Sequence, residues 1–353
     1  MSGAQPAPGA SGLLKPMAPF IRDEWYVAAF SDEVADAPLG RTICGEAVVL
    51  FRAAGGAVAV LEDRCSHRKF PLSRGKVIAG GVLQCGYHGA CFDGAGSCVS
   101  IPGRDVILAS FNLRHYPVIE RDGVIFVWMG AVAAADRARP PDWHRNVAAD
   151  WTAVRGRHRM PANYQLVLDN LLDLTHVAFI HKMLGGPGIT ENPLEFSVDG
   201  ETVHTLRMMR NVEVPGIYAA MGRTGKIDRW QKQRVAAPSY VYFESGAEPV
   251  GSNRPAGHPH HVVIQGVTPE TETSTHYFWT VARSFARGDE TVSRALYDIT
   301  SDAFDEDVAA LEAQQRSIDA DRSGRPFGAF ACDAAGLAVR RILARRLARE
   351  APG

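Results

Sequence analysis

Cys65-Ser66-His67-Arg68-Lys69-Phe70 and, after seventeen residues that follow His67, Cys85-Gly86-Tyr87-His88-Gly89 form the stretch on which the reading of this chain turns. The pattern is C-x-H, x17, C-x2-H. Two Cys and two His can hold structural zinc, but zinc fingers usually pair like ligands, Cys with Cys and then His with His. Here each loop carries one of each. Two such loops can give both thiolates to one iron of a [2Fe–2S] cluster and both imidazoles to the other. Imidazole in place of thiolate leaves less negative charge on the cluster, which then accepts an electron more readily. Gly75, Gly86 and Gly89 flank the ligands and let backbone N–H groups come close to inorganic sulfide.

Working outward, the segment from Trp25 to about Gly130 has short β-type runs between glycine turns. Thr42–Phe51 reads as a strand, Ala53–Gly56 as a turn and Ala57–Leu61 as the partner strand. Phe92–Ser97 reads as a hairpin connection and Val124–Met129 as a further strand, so a small all-β module is expected. A polar, proline-rich run, AAADRARPPDW, places a linker near residues 131–145. Beyond it, Tyr164–Met183 reads as one helix stopped by Gly185-Gly186-Pro187-Gly188. Strands are expected at Thr202–Met209, Ser239–Glu244, His261–Val267 and Thr275–Ala282, and a long helix at Thr291–Ile318. A final amphipathic helix, Asp333–Arg349, carries five arginines that read as a solvated face. The expected organisation is a tail over 1–20, an all-β domain over 21–135 and an α+β domain over 136–353, with an antiparallel sheet flanked by helices.

The chain has 353 residues and a formal net charge of -1. That balance gives no bulk attraction to nucleic acid or membrane. No run approaches the roughly 18–20 apolar residues that span a bilayer. The first twenty residues lack the charged and apolar regions of a signal peptide, which places the protein in the cytoplasm by expectation. In that reducing setting the six cysteines are not expected to form structural disulfides.

A second constellation lies in Asn170-Leu171-Leu172-Asp173-Leu174-Thr175-His176-Val177-Ala178-Phe179-Ile180-His181. Oxygen-activating non-haem Fe(II) uses two His and one carboxylate on one face and leaves other positions open. The step from His176 to His181 is five residues, about 140° around an ideal helix. Both imidazoles reach one ion only if the helix distorts or ends near His181, or carries a π-type bulge. Spacing does not choose the carboxylate, because 39 acidic residues are available. His258, His260 and His261 form a weaker cluster in a Gly/Pro context and read as a loop able to bind stray metal.

The segment CSHRKFPLSRGKVIAGGVLQCGYHGACFDGAGSCVSIPG resembles the Rieske domain of aromatic-ring-active oxygenases, and NLLDLTHVAFIH is similar to the N-x2-D-x2-H-x4-H motif of that family. Ser66, Lys69 and Phe70 depart from the family's common CPHRGAPLSxG, and none of them is a ligand. Respiratory Rieske proteins carry an extra Cys in each loop; Phe70 and Gly86 stand at the matching positions here. The Trp25–Glu46 stretch, Thr268–Trp279 and the helix around Asp307 extend the resemblance to the oxygenase components of vanillate and dicamba O-demethylases.

The resemblance implies that Cys65, His67, Cys85 and His88 hold a Rieske [2Fe–2S] cluster, and that His176, His181 and Asp307 hold a mononuclear non-haem Fe(II), with Asp305 and Glu306 as competitors for the carboxylate. It gives Asp173 a role as a bridge that bonds His176 and passes electrons from His88 of a neighbouring subunit, and it places Asn170 in the outer shell of the iron. Gln265 matches a substrate-pocket position. The implied protein is a homotrimeric terminal oxygenase, with O2 as co-substrate and electrons from NAD(P)H through a reductase or ferredoxin. It would hydroxylate and O-demethylate a methoxylated aromatic acid and release formaldehyde. Aryl methyl hydroxylation, N-dealkylation and ring dihydroxylation are the competing reactions, and a Rieske electron-transfer protein is the non-enzyme alternative. Arg64, Arg68, Lys69, Arg74 and Lys76 surround the cluster loops and are expected to receive an acidic face of the electron donor.

Overall fold

Apolar runs punctuated by glycine turns produce ten short strands before residue 130. The computed structural model describes residues 20–350 apart from 137, 182, 185–187, 216–217, 219–223, 253–260 and 326. The expected tail therefore lies outside the described residues except for Phe20, which is buried against Tyr164. The ten strands are β1 (Trp25–Phe30), β2 (Leu39–Ile43), β3 (Glu46–Arg52), β4 (Val58–Glu62), β5 (Lys76–Ile78), β6 (Val82–Gln84), β7 (Cys91–Phe92), β8 (Cys98–Ser100), β9 (Val118–Arg121) and β10 (Val124–Trp128). They form three antiparallel sheets, β1-β10-β9, β2-β3-β4 and β5-β6-β7-β8. The single strand expected over Thr42–Phe51 is instead a hairpin. Cys44 and Gly45 both take positive φ, 49° and 76°, and close a two-residue turn between Ile43 and Glu46. Gly45 is the one turn signal there, and cysteine, not a usual turn residue, at the other central position obscures it.

A short helix, α1 (Val132–Ala135), follows. The chain divides into two compact units: Arg22–Trp143 with Thr268–Thr271, and His144–Val267 with Glu272–Gly353. The boundary thus falls after Trp143 rather than at 135/136, because Trp143 is buried against Phe126. Thr268–Thr271 belongs to the first unit through bonds that sequence order hides. Thr268 Oγ1 donates to the Val27 carbonyl at 2.7 Å, and the Pro269 and Glu270 carbonyls accept from Cys44 and Gly45.

The second unit is built on a seven-stranded antiparallel sheet: β11 (Thr152–Met160), β12 (Glu195–Asp199), β13 (Thr202–Glu213), β14 (Lys226–Ala236), β15 (Tyr240–Pro249), β16 (His261–Thr271) and β17 (Ser274–Arg283), in the order β11-β17-β16-β15-β14-β13-β12. Its helices are α2 (Tyr164–Leu172), α3 (Val177–Ile180), α4 (Glu290–Ala320) and α5 (Ala334–Glu350). Asn163 caps α2 by accepting from Gln165 N, and Asp289 caps α4 by accepting from Thr291 N and Val292 N. The α4 helix packs on β11 and β17, and α5 packs on α2, β12 and β13. The arginines of α5 are not one solvated face. Arg341, Arg345 and Arg349 are exposed, but Arg340 is buried. Its Nε donates at 3.0 Å to both carboxylate oxygens of Asp169 on α2. Arg346 is half-buried and donates to the Ala237 carbonyl at 3.0 Å. No helix among the described residues is long and apolar enough to cross a membrane.

Candidate metal centres

The two cluster loops are the same turn made twice. Cys65 N donates to Phe70 O and Lys69 N to Cys65 O, each at 2.9 Å. Cys85 N donates to Ala90 O at 2.8 Å and Gly89 N to Cys85 O at 3.1 Å. The equivalent residues Lys69 and Gly89 both take left-handed φ, 59° and 76°. Gly75 serves through close approach, since a Cβ there would lie 2.1 Å from the Gln84 carbonyl. Cys65 and Cys85 are each 2% exposed and belong to a core with Val49, Phe51, Leu61, Leu72, Leu83 and Phe92. His67 and His88 are exposed, with ring centroids 4.7 Å apart. The donors are therefore sorted, thiols inward and imidazoles outward. Burial pushes the Cys65 thiol up, and the adjoining Cys85 thiol pushes it further. A thiol so placed is a metal ligand that gives up its proton on binding. All six cysteines are unbridged.

The second group forms where the expected helix fails. It does not run from Tyr164 to Met183. The α2 helix stops at Leu172, Asp173 turns out of it with φ -89° and ψ 86°, and His176 starts α3. A break thus lies before His176, and a second lies where expected, since α3 ends at Ile180 with His181 extended at φ -90° and ψ 118°; the stop expected at Gly185-Gly186-Pro187 falls outside the described residues. With the helix broken, the i+5 spacing is no obstacle. One donor atom each from His176, His181 and Asp307 lies within 4.8 Å of the others. Asp307 Oδ1 is 3.6 Å from His176 Nε2, and Oδ2 is 3.5 Å from His181 Nε2. Among the three candidate carboxylates the positions differ sharply. The side chains of Asp305, Glu306 and Asp307 are 68%, 25% and 4% exposed. Asp305 sits 3.4 Å from His158, whereas Glu306 approaches His181 Nδ1 at 3.1 Å.

Each imidazole is oriented by its other nitrogen. His176 Nδ1 bonds the main-chain carbonyl of Asp173, and His181 Nδ1 bonds Glu306, so both Nε2 atoms face Asp307. Such outer partners fix tautomer and ring angle in metal sites. Asp173 was expected to reach His176 through its carboxylate; it does so through its backbone, and Oδ1 accepts from Thr175 N at 2.8 Å. Asn170, one turn before Asp173, donates to Asp307 Oδ1 at 3.0 Å. Burial holds the Asp307 carboxyl above its usual range, against the pull of His176, His181 and Asn170. Burial likewise holds the His176 imidazole below its ordinary value, which favours the neutral, ligating form. A buried carboxylate between two imidazoles fits the two-His, one-carboxylate donor set of non-haem Fe(II).

A cavity of about 110 Å³ opens from this group. It is bounded by Leu171, Val177, Phe243 and Val263, and by a polar floor of Arg229, Gln231, Gln233, Ser245, His261 and Gln265 from β14, β15 and β16. Gln265 is 5% exposed, and its Oε1 has no hydrogen-bond partner among the described residues. His261 opens β16, buried in the cavity wall, rather than lying in a loop; His258 and His260 fall outside the described residues. Sequence reasoning missed Glu306 as a partner of His181, and it missed the floor. In β14, Arg229, Gln231 and Gln233 alternate like an outward polar face, yet each is buried.

Comparisons with known proteins agree with both halves. The Rieske [2Fe-2S] domain profile matches residues 24–117, and that of the vanillate O-demethylase oxygenase C-terminal domain matches residues 160–349. A vanillate O-demethylase oxygenase subunit from a Pseudomonas species is 38% identical over 94% of this chain and 96% of its own length. An iron-sulfur subunit of a toluene-4-sulfonate monooxygenase system from Comamonas testosteroni is 35% identical over 95% of this chain and 99% of its own. The crystal structure of dicamba monooxygenase bound to 3,6-dichlorosalicylic acid superposes with a TM-score of 0.90 at 33% identity, covering 95% of this chain and 100% of that one. By sequence and by fold the chain belongs to the Rieske non-haem iron oxygenases, as an oxygenase component with a [2Fe–2S] cluster and a mononuclear iron.

Proposed function

We propose that the protein is the terminal oxygenase of a multicomponent system that O-demethylates a methoxylated aromatic acid. The observation that carries this reading is the convergence of His176 Nε2, His181 Nε2 and Asp307 at one end of a cavity of about 110 Å³. Cys65, Cys85, His67 and His88 would hold the cluster, and His176, His181 and Asp307 the iron. Bound there, the iron supplies reductive O2 activation. One oxygen atom enters the methoxy C–H bond and the other leaves as water, with two electrons from NAD(P)H. The resulting hemiacetal collapses to a phenol and formaldehyde. The protein's part is to orient the ring, exclude water and keep the His176 imidazole neutral. Asn170 steadies the Asp307 carboxylate, and Gln265 offers a polar contact to the substrate.

In this reading Asp173, half-buried at the end of α2, links the iron site to His88 of a neighbouring subunit, which requires a homotrimer. The exposed Arg64, Arg68, Lys69, Arg74 and Lys76 around the cluster loops suit an acidic reductase or ferredoxin. A cytoplasmic setting belongs to the same reading. The relatives named for vanillate, dicamba and toluene-4-sulfonate support an aromatic acid as substrate.

The test is a panel of methoxylated benzoates with a reductase and NADH, scored for formaldehyde. Formation of a diol or a stable benzylic alcohol in its place would reject demethylation. His176→Ala should remove one iron per chain and abolish oxygenation while leaving the cluster's visible and EPR signals. Loss of both signals, or of neither activity nor iron, would reject the site.

A further inference from the structure

The cavity beside the triad contains a charge that no side chain among the described residues answers. Arg229 is 4% exposed, and its Nε and Nη1 have no hydrogen-bond partner among the described residues. The recorded contact of its guanidinium is the Tyr218 ring, 5.3 Å from Cζ to centroid. A buried cation ordinarily sits beside an anion, because desolvation without one is costly. Every Asp and Glu of the chain is among the described residues. None of them forms an ion pair with Arg229. Asp228, its neighbour in sequence, projects from the other face of β14 and bonds Asn211 N and Gly251 N.

The neighbouring arginine shows the difference. Arg207 lies on β13, with register pairs Arg207 to Gln231 and Met209 to Arg229, so both arginines project from the same face of the sheet. Arg207 donates to Thr175 Oγ1 at 3.1 Å and has the Asp173 carboxylate acting on it. Arg229 has neither. Gln231 Oε1 and Gln265 Oε1, on the same cavity floor, also lack partners among the described residues. The unanswered cation shapes this hole for an anion, while the two amide oxygens, which accept, suit a hydroxyl or N–H donor on the same molecule. At about 110 Å³ it is smaller than the roughly 150 Å³ of a cavity that takes one benzene, so the occupant carries no more than one ring.

We propose that Arg229 is the anion anchor of the cavity, receiving the carboxylate or sulfonate of a single-ring aromatic acid and so aiming the far side of the ring at His176, His181 and Asp307. This rests on the oxygenase reading above and specifies how its substrate is recognised. The planar guanidinium matches two oxyanion oxygens at once.

The test measures equilibrium binding to the holoenzyme of three probes: 3-methoxybenzoate, 3-methoxybenzenesulfonate and the neutral 3-methoxybenzamide. Wild type should bind one of the acids about 30-fold or more tighter than the amide, the factor expected for a charged hydrogen bond. Arg229→Gln should erase that preference, and Arg229→Lys should keep part of it. Without ligand, Arg229→Gln should melt no lower than wild type, and the acid should no longer raise its melting temperature. Which acid is preferred decides between carboxylate and sulfonate. Equal binding of acid and amide by wild type, or an acid preference that survives in both variants, overturns the anchor. If Arg229→Gln does not fold, Arg229→Lys carries the test: an acid preference clearly reduced from wild type supports the anchor, and an undiminished one overturns it. Formaldehyde production separates this proposal from the one it rests on. Arg229-dependent acid binding with no formaldehyde from any methoxylated probe retires demethylation and leaves the anchor. Formaldehyde with an acid preference indifferent to Arg229 does the reverse.

Discussion

The two metal-binding regions solve opposite problems. At the cluster loops the thiols are sealed in a hydrophobic core while His67 and His88 face out. A cluster held by these four residues would have its sulfur side protected and its imidazole side open to solvent. At the second group all the donors turn inward; His181 and Asp307 are 7% and 3% exposed. The donors there are held by partners within the fold: the Asp173 carbonyl, Glu306 and Asn170. The first region is held by hydrogen bonds inside two six-residue turns. The second is held by the docking of α2 against α4 and α5. Damage to long-range packing should therefore reach the iron site and spare the cluster, and damage to a cluster turn should do the reverse.

The strongest way to break this contrast is Arg340→Met. It leaves Asp169 without its guanidinium, and burial already holds that carboxyl above its usual range. Loss of a fully buried pair costs about 3–5 kcal/mol; Asp169 borders a cavity, so about 2–3 kcal/mol is expected. Thermal unfolding should show it in the catalytic unit, with the Rieske visible spectrum unchanged. An equal loss of cluster absorbance would mean that the two regions are not energetically separate.

Glu306→Leu is next. It takes the outer partner from His181 Nδ1 without touching a proposed ligand. Outer-partner losses weaken metal sites about 10–100-fold, which titration of the mononuclear iron with a chelator should register while cluster iron stays constant. A smaller effect is expected from Lys69→Gly in the first cluster turn. Lys69 holds φ 59°, where its counterpart in the second turn is Gly89. Relief of left-handed strain, offset by glycine's greater freedom when unfolded, should stabilise the Rieske unit by roughly 0.5–1 kcal/mol. Denaturant unfolding followed at the cluster absorbance measures it, and no change or a loss would show that Lys69 makes a compensating contact.

The cluster set was readable from the chain because its four donors fall within 24 residues and each turn closes on itself. The histidine pair was readable as a motif, but not its geometry. Nothing at Asp173 announces a helix end, since that end is imposed by His176 bonding back to the Asp173 carbonyl. Other features were invisible for the same reason. The Arg340 to Asp169 pair joins residues 171 apart in sequence. The β14 floor reverses the usual alternation, burying Arg229, Gln231 and Gln233 because a cavity, not solvent, lies over them.

What the sequence by itself determined is the donor types, their grouping into two centres, and an all-β unit followed by an α+β unit, all set by local spacing and hydrophobic pattern. What only the tertiary structure decided is which of three consecutive acids turns inward. Successive residues of a helix point about 100° apart. Asp305, Glu306 and Asp307 therefore face solvent, His181 and the donor group in turn once α4 is docked on β11 and β17. The rotation of a helix on its sheet is a property of packing, and no spacing along the chain encodes it.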